Sequence, residues 1–114
     1  MKTNIVVKLQ VEGMHRWLGC NIIEVMFLKS YHRHIFHIRC ELAVIDLDRE
    51  VEIIKLKREI QDYLKRNYFD ESLGMCDFKG MSCEQIGQDL LLAYNLHSCE
   101  VLEDNENGSI TYSG

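Results

Sequence analysis

From His34 to Asp46 the chain alternates with a period of two, with Phe36, Ile38, Cys40, Leu42 and Val44 on one side and His37, Arg39 and Glu41 on the other. Only an extended strand puts successive side chains on opposite faces, so this run demands a sheet with one covered face. Thr3 to Glu12 is a second β-branched stretch with partial alternation and stops at Gly13. Between these two strands, Arg16 to Ser30 carries Trp17, Val25, Phe27 and Leu28 and is too apolar for a free linker. It is expected to pack over the rest of the chain.

The period then changes. From Asp48 to Arg66, Ile53, Leu56, Ile60, Tyr63 and Leu64 recur at three and four residues. Asp48 and Glu50 come early and Lys65 and Arg66 late, as an amphipathic helix and its dipole favour. Asn67 to Gly80 contains Gly74 and Gly80 and little periodicity, and reads as a loop. Ser82 with Gln85 forms a capping box for a second helix, buried through Ile86, Leu90, Leu91 and Tyr94 and ending near Asn95. Ser98 to Leu102 and Ser109 to Tyr112 flank Asn107-Gly108, a hairpin turn signal. The order ββααββ predicts an α+β domain with an antiparallel four-stranded sheet and both helices on one face. With 114 residues, positions 1–114 are expected to form a single domain.

A net charge of −5 argues against DNA as a partner. No apolar run approaches the roughly 20 residues of a membrane helix. Met1 to Leu9 is too short an apolar stretch for a signal peptide, so a cytoplasmic protein is expected, in the host cytoplasm if viral. The five cysteines contain no CxxC pair and read as reduced thiols.

His32 and His34 lie two apart where the second strand begins and project from the same face. His15 closes the first strand, and pairing of the two strands brings it to the same sheet end. Three neutral imidazoles suit Zn2+ with one position left open, so His15, His32 and His34 are the candidate metal ligands. Alternation puts His34 on the face of Phe36 and Ile38, which requires a bulge or a pocket at the rim of the core. His37 falls on the other face and is not a ligand to the metal.

These residues resemble the family of 6-pyruvoyl-tetrahydropterin and 6-carboxytetrahydropterin synthases, the tunnelling fold or T-fold. Val11-Glu-Gly-Met-His15-Arg is similar to the family's first strand, and His32-Arg-His34 to its HxH pair. Glu52-Ile-Ile-Lys-Leu-Lys57 resembles the Asp-Phe-x-x-Leu-Lys stretch at the first helix, Ser82-Cys-Glu84 the Pro-Thr-x-Glu at the second, and Val101-Leu-Glu103 the strand whose glutamate anchors the pterin ring. The resemblance implies Zn2+, and Glu103 and Glu84 against a pterin, purine or nucleotide ligand. It also implies homo-oligomers, hexamers in this family, whose sheets join edge to edge into a barrel, with Arg33, His37 and Arg39 lining a pocket or tunnel between subunits.

The chain departs from the family where proton transfer is concerned. Asn67 to Gly80 is short and holds no histidine in place of the family's Asp-His pair. Cys20 is the catalytic candidate but lies nearer His15 than the family's cysteine, and His97 is the only other candidate. The expected function is therefore capture of a pterin, purine or nucleotide beside zinc without synthase turnover. A scaffold of this kind suits a viral sponge that sequesters a nucleotide signal. The alternative is an active zinc-dependent lyase of the same family.

Overall fold

The computed structural model describes residues Met1–Gly114. Its elements in order are β1 (Thr3–His15), a 3-10 segment (Ile23–Lys29), β2 (His32–Val44), α1 (Ile53–Tyr68), β3 (Phe69–Asp70), β4 (Met75–Asp77), α2 (Cys83–Tyr94), β5 (Ser98–Glu103) and β6 (Gly108–Tyr112). The sheet has six strands in the order β3-β4-β1-β2-β5-β6. The expectation of four antiparallel strands is thus corrected. β1, β2, β5 and β6 are antiparallel as expected, but β3 and β4 form a small hairpin and β4 runs parallel to β1 at Gly13 and Met14. That hairpin falls within the segment read as a loop. Strands of two and three residues are too short to show a period, and the turn between them is made locally, by the Asp70 carboxylate accepting from the Ser72 and Leu73 amides and by Gly74 at φ +70°.

β1 and β2 pair without a bulge from Thr3↔Val44 to His15↔His32. Opposed residues share a face, so Val7 and Leu9 join Phe36, Ile38 and Cys40, and the β5 register adds Cys99 and Val101. Leu56, Ile60 and Leu64 of α1 and Ile86 and Leu90 of α2 close over this one face, and every one of these side chains is buried.

Local chemistry sets the helix limits. α1 starts later than the charge pattern suggests, because Glu52 is its N-cap and accepts from the Ile54 and Lys55 amides at 2.9 and 3.0 Å. Asp48 and Glu50 lie outside the helix, and Glu50 instead accepts from the amides of Ile45 and Asp46. In α2 the Ser82–Gln85 capping box forms as expected, and Asn95 ends the helix in the left-handed conformation at φ 51°. The 3-10 segment contains no buried residue, and in the connection around it Trp17 and Phe27 are exposed while Cys20 is buried. The connection packs less than its apolar content suggests. All five cysteines are free and buried.

Candidate metal centre

The core stripe of the sheet ends in histidines. Along one face β1 runs Leu9, Val11, Gly13, His15, and β2 opposes it with Ile38, Phe36, His34, His32. His34 therefore stands on the core face without any bulge, and the conflict between a polar residue and that face is resolved by a pocket at the rim. The β5 register sets Glu103 opposite Phe36, on the same face. Ligand atoms of His15, His32, His34 and Glu103 all lie within 4.8 Å of one another, and the group could hold a metal ion. The ring centroids of His15 stand 4.5 Å from His32 and 5.3 Å from His34.

Each ring is oriented through its Nδ1. His15 Nδ1 lies 2.8 Å from the carbonyl oxygen of Met81, His32 Nδ1 lies 2.8 Å from that of Ser30, and His34 Nδ1 lies 2.7 Å from Asp104 Oδ2. A carbonyl can only accept, so in His15 and His32 Nδ1 carries the proton and Nε2 presents its lone pair. Asp104, holding His34 by one oxygen, accepts the Ile35 amide with the other at 2.9 Å. An outward Nδ1–H on a carbonyl or carboxylate, with Nε2 turned inward, is the usual support of a metal-binding histidine.

What Nε2 meets is informative. His15 Nε2 lies 2.8 Å from Glu103 Oε2, and His34 Nε2 lies 3.6 Å from the same oxygen. Neither contact is aligned as a hydrogen bond, and both Nε2 atoms are buried without a partner. Lone pairs that converge on a carboxylate repel unless a cation sits among them, so the donor set fits a metal. Burial lowers the His15 pKa, but the Glu103 carboxylate and the Met81 carbonyl more than offset it and leave it above its ordinary value. The close contact with His15, opposed by burial and aided by the charges of the neighbouring histidines, holds Glu103 below the usual carboxylate range.

Elements that gave no sequence signal place these groups. The β3–β4 hairpin clamps the end of β1, with Phe78 N donating to Met14 O at 2.9 Å and Arg16 N to Lys79 O at 2.8 Å, which leads the chain to Met81 behind His15. Gly13 is required here, because a Cβ on it would stand 2.6 Å from the Phe78 ring. The β5–β6 turn also differs from expectation. Its central residues are Asp104 and Asn105, at φ 54° and 58°, as in a type I′ turn, with Glu106 N donating to Glu103 O at 2.9 Å. Asn107-Gly108 is not the turn itself, and Gly108 serves a close approach, since a Cβ there would lie 1.8 Å from Val101 O. One tight turn thus delivers both Glu103 and Asp104.

Beside the cluster opens a cavity of about 730 Å³, bounded by His15, His32 and Glu103 and by Trp17, Glu84 and Gln85 among others. Cys83 also lines it, which sequence reasoning missed because the residue reads only as the first turn of a helix. Burial, with the Glu103 and Glu84 charges, pushes its thiol up to about 12. It is therefore protonated at neutral pH.

The other expected site residues are dispersed. Glu84 lines the cavity, and Glu103 turns toward the histidines. Cys20 does not line the cavity, and its buried thiol lies 3.6 Å from the Val25 carbonyl and 3.8 Å from that of Ile22. Arg33, His37 and Arg39 lie on the opposite face of the sheet, Arg33 Nε bonded to Glu12 at 2.5 Å and Arg39 3.3 Å from Glu41. His97 precedes β5 at the far end of the sheet, where its amide donates to Glu41 O. No helix is long and apolar enough to cross a membrane. No protein-family model matches the chain, and no curated protein does.

Proposed function

We propose that this chain is a zinc-dependent T-fold binding protein that captures a pterin, a purine or a nucleotide carrying one in the cavity beside His15, His32 and His34, without turning it over. The observation that carries the reading is the pair of buried, unpartnered Nε2 atoms of His15 and His34 facing Glu103. Three imidazoles and one carboxylate are borderline donors that suit zinc among the common divalent ions. Bound there, zinc would tie the four side chains together and place a fixed positive charge beside the cavity.

The protein's own groups complete the pocket. Glu103 stands closest to the histidines and is suited to the metal, which leaves Glu84 as the cavity carboxylate free to accept two parallel hydrogen bonds from the amide edge of a pterin or guanine ring. Trp17, about half exposed, offers a flat apolar surface against which such a ring stacks. Binding without turnover is supported by the two thiols: Cys20 is tied up away from the cavity, and Cys83 is held protonated within it. A sponge for a nucleotide signal and a cytoplasmic setting follow from the same reading.

Trp17 is the chain's single tryptophan, so its fluorescence reports the cavity directly. Purified protein is expected to carry one zinc per chain by elemental analysis. Titration with neopterin, guanosine and GTP is expected to quench Trp17 saturably with at least one of them, and Glu84→Gln to weaken that quench. Dihydroneopterin triphosphate is expected to release no triphosphate. Absence of stoichiometric metal, or a flat response to all three ligands, overturns the reading, and triphosphate release makes the protein a lyase.

A further inference from the structure

A second cavity, of about 650 Å³, brings Lys8, Gln10, His37 and Arg39 of the sheet together with Lys57 of α1. The strand register explains why they meet. Lys8 of β1 is directly opposite Arg39 of β2, and Gln10 is directly opposite His37, so two cations and two nitrogen-bearing side chains form a block on one face. Opposed residues on neighbouring strands have Cβ atoms about 5 Å apart, and like charges so placed destabilise a sheet. Lys57 joins them from α1, and the only carboxylate lining the cavity is Glu100. Glu41 holds Arg39 at 3.3 Å, while Lys8 and Lys57 enter no ion pair. In a chain of net charge −5, Lys8 and Lys57 are unspent positive charge beside further hydrogen-bond donors, and they lie within a concavity.

The geometry points to an oxyanion site here: this cavity binds the phosphate of a phosphorylated small molecule, through Lys8, Lys57 and Arg39 with Gln10 and His37 as further hydrogen-bond donors. Glu41 and Glu100 flank Arg39, so the charge left over for an anion is that of Lys8 and Lys57. The metal-side histidines project from the other face of the same strands, so this site does not depend on the metal or on the ligand proposed for the first cavity.

The test uses the full chain, zinc-loaded, titrated with inorganic phosphate and followed by amide shifts in two-dimensional NMR. Saturable movement of the Lys8, Gln10 and Arg39 amides is expected, weakened by added sodium chloride. Lys8→Gln and Lys57→Gln each remove a charge-assisted contact and are expected to raise Kd roughly tenfold. Both side chains are exposed, so both variants are expected to keep the wild-type fold and zinc content. His15→Ala, which removes a metal ligand, is expected to leave phosphate affinity unchanged. Shifts that centre on His15 and His32, shifts that do not saturate, or affinities that neither lysine variant alters each overturn the proposal. A failure of zinc or Trp17 quenching with phosphate binding intact overturns the first site alone.

Discussion

His15 and His32 are the last pair of the β1–β2 ladder, directly opposed in register with their ring centroids 4.5 Å apart. A cation shared by the two therefore also fastens two strand ends that have no further rungs. Removing it is expected to cost stability as well as binding. With zinc at about a thousandfold over its Kd, the folded state gains about 4 kcal/mol, which for a chain of this size corresponds to a fall in Tm of roughly 15 °C or more when a chelator is added. Calorimetry with and without chelator measures this, and His32→Ala is expected to erase the difference. An unchanged Tm on stripping metal from a stoichiometric complex would show that the ion sits elsewhere.

Asp104 touches the centre only through His34. One carboxylate oxygen holds His34 Nδ1 at 2.7 Å and the other takes the Ile35 amide at 2.9 Å, so it fixes both ring and strand. Asp104→Ala is expected to weaken zinc affinity about 10- to 100-fold, while Asp104→Asn, which retains an acceptor, loses less. Competition with a fluorescent zinc chelator ranks the three proteins. Equal affinities in all three would mean that the His34 ring needs no such support.

At the other end of the sheet, buried Ser98 donates from Oγ to Glu41 Oε2 at 2.6 Å. That hydrogen bond, aided by Arg39 against the cost of burial, holds the Glu41 carboxyl below its ordinary 4.5. A depressed folded-state pKa contributes stability that is complete above about 4.5 and is lost as pH falls through the folded value. Ser98→Ala is expected to remove most of this contribution. The gap in Tm between variant and wild type should therefore be widest at neutral pH and narrow below pH ~4, and a gap independent of pH would assign the effect to packing alone.

The histidine site was legible because its residues obey the strand period. With His15, His32 and His34 all on the core face, pairing of two strands sufficed to bring them together. Glu103 was legible as a site residue, but its position beside the histidines depends on the β2–β5 register and on a turn at Asp104-Asn105, neither of which a local pattern encodes. Asn107-Gly108 gave the stronger turn signal, yet Gly108 is a glycine for contact with Val101 and not for a left-handed φ. The β3–β4 hairpin was illegible for a different reason. It acts on the centre through backbone bonds to Met14 and Arg16, and such bonds leave no mark on side-chain identity. Cys83 likewise lines the cavity because α2 begins beside Glu103, a tertiary fact.

Gly108 offers the sharpest test of how the turn supports the centre. The atom a Cβ would meet is the backbone oxygen of Val101, at 1.8 Å, with the Leu102 Cα at 2.8 Å, and backbone within a ladder cannot rotate away as the end of a side chain can. Gly108→Ala must push β6 off β5 beside the residue that carries Glu103. A loss of roughly 3 kcal/mol is expected, at the upper end for overpacking, with weaker zinc binding as Glu103 and Asp104 shift together. Gly13→Ala differs in kind. Its Cβ would meet the buried Phe78 ring at 2.6 Å, and a side chain yields more readily than ladder backbone, so a smaller loss of about 1–2 kcal/mol is expected. Urea unfolding of the metal-free variants separates the two. If Gly13→Ala proved the more damaging, the Phe78 clamp on β1, and not the β5–β6 turn, would be what holds the centre together.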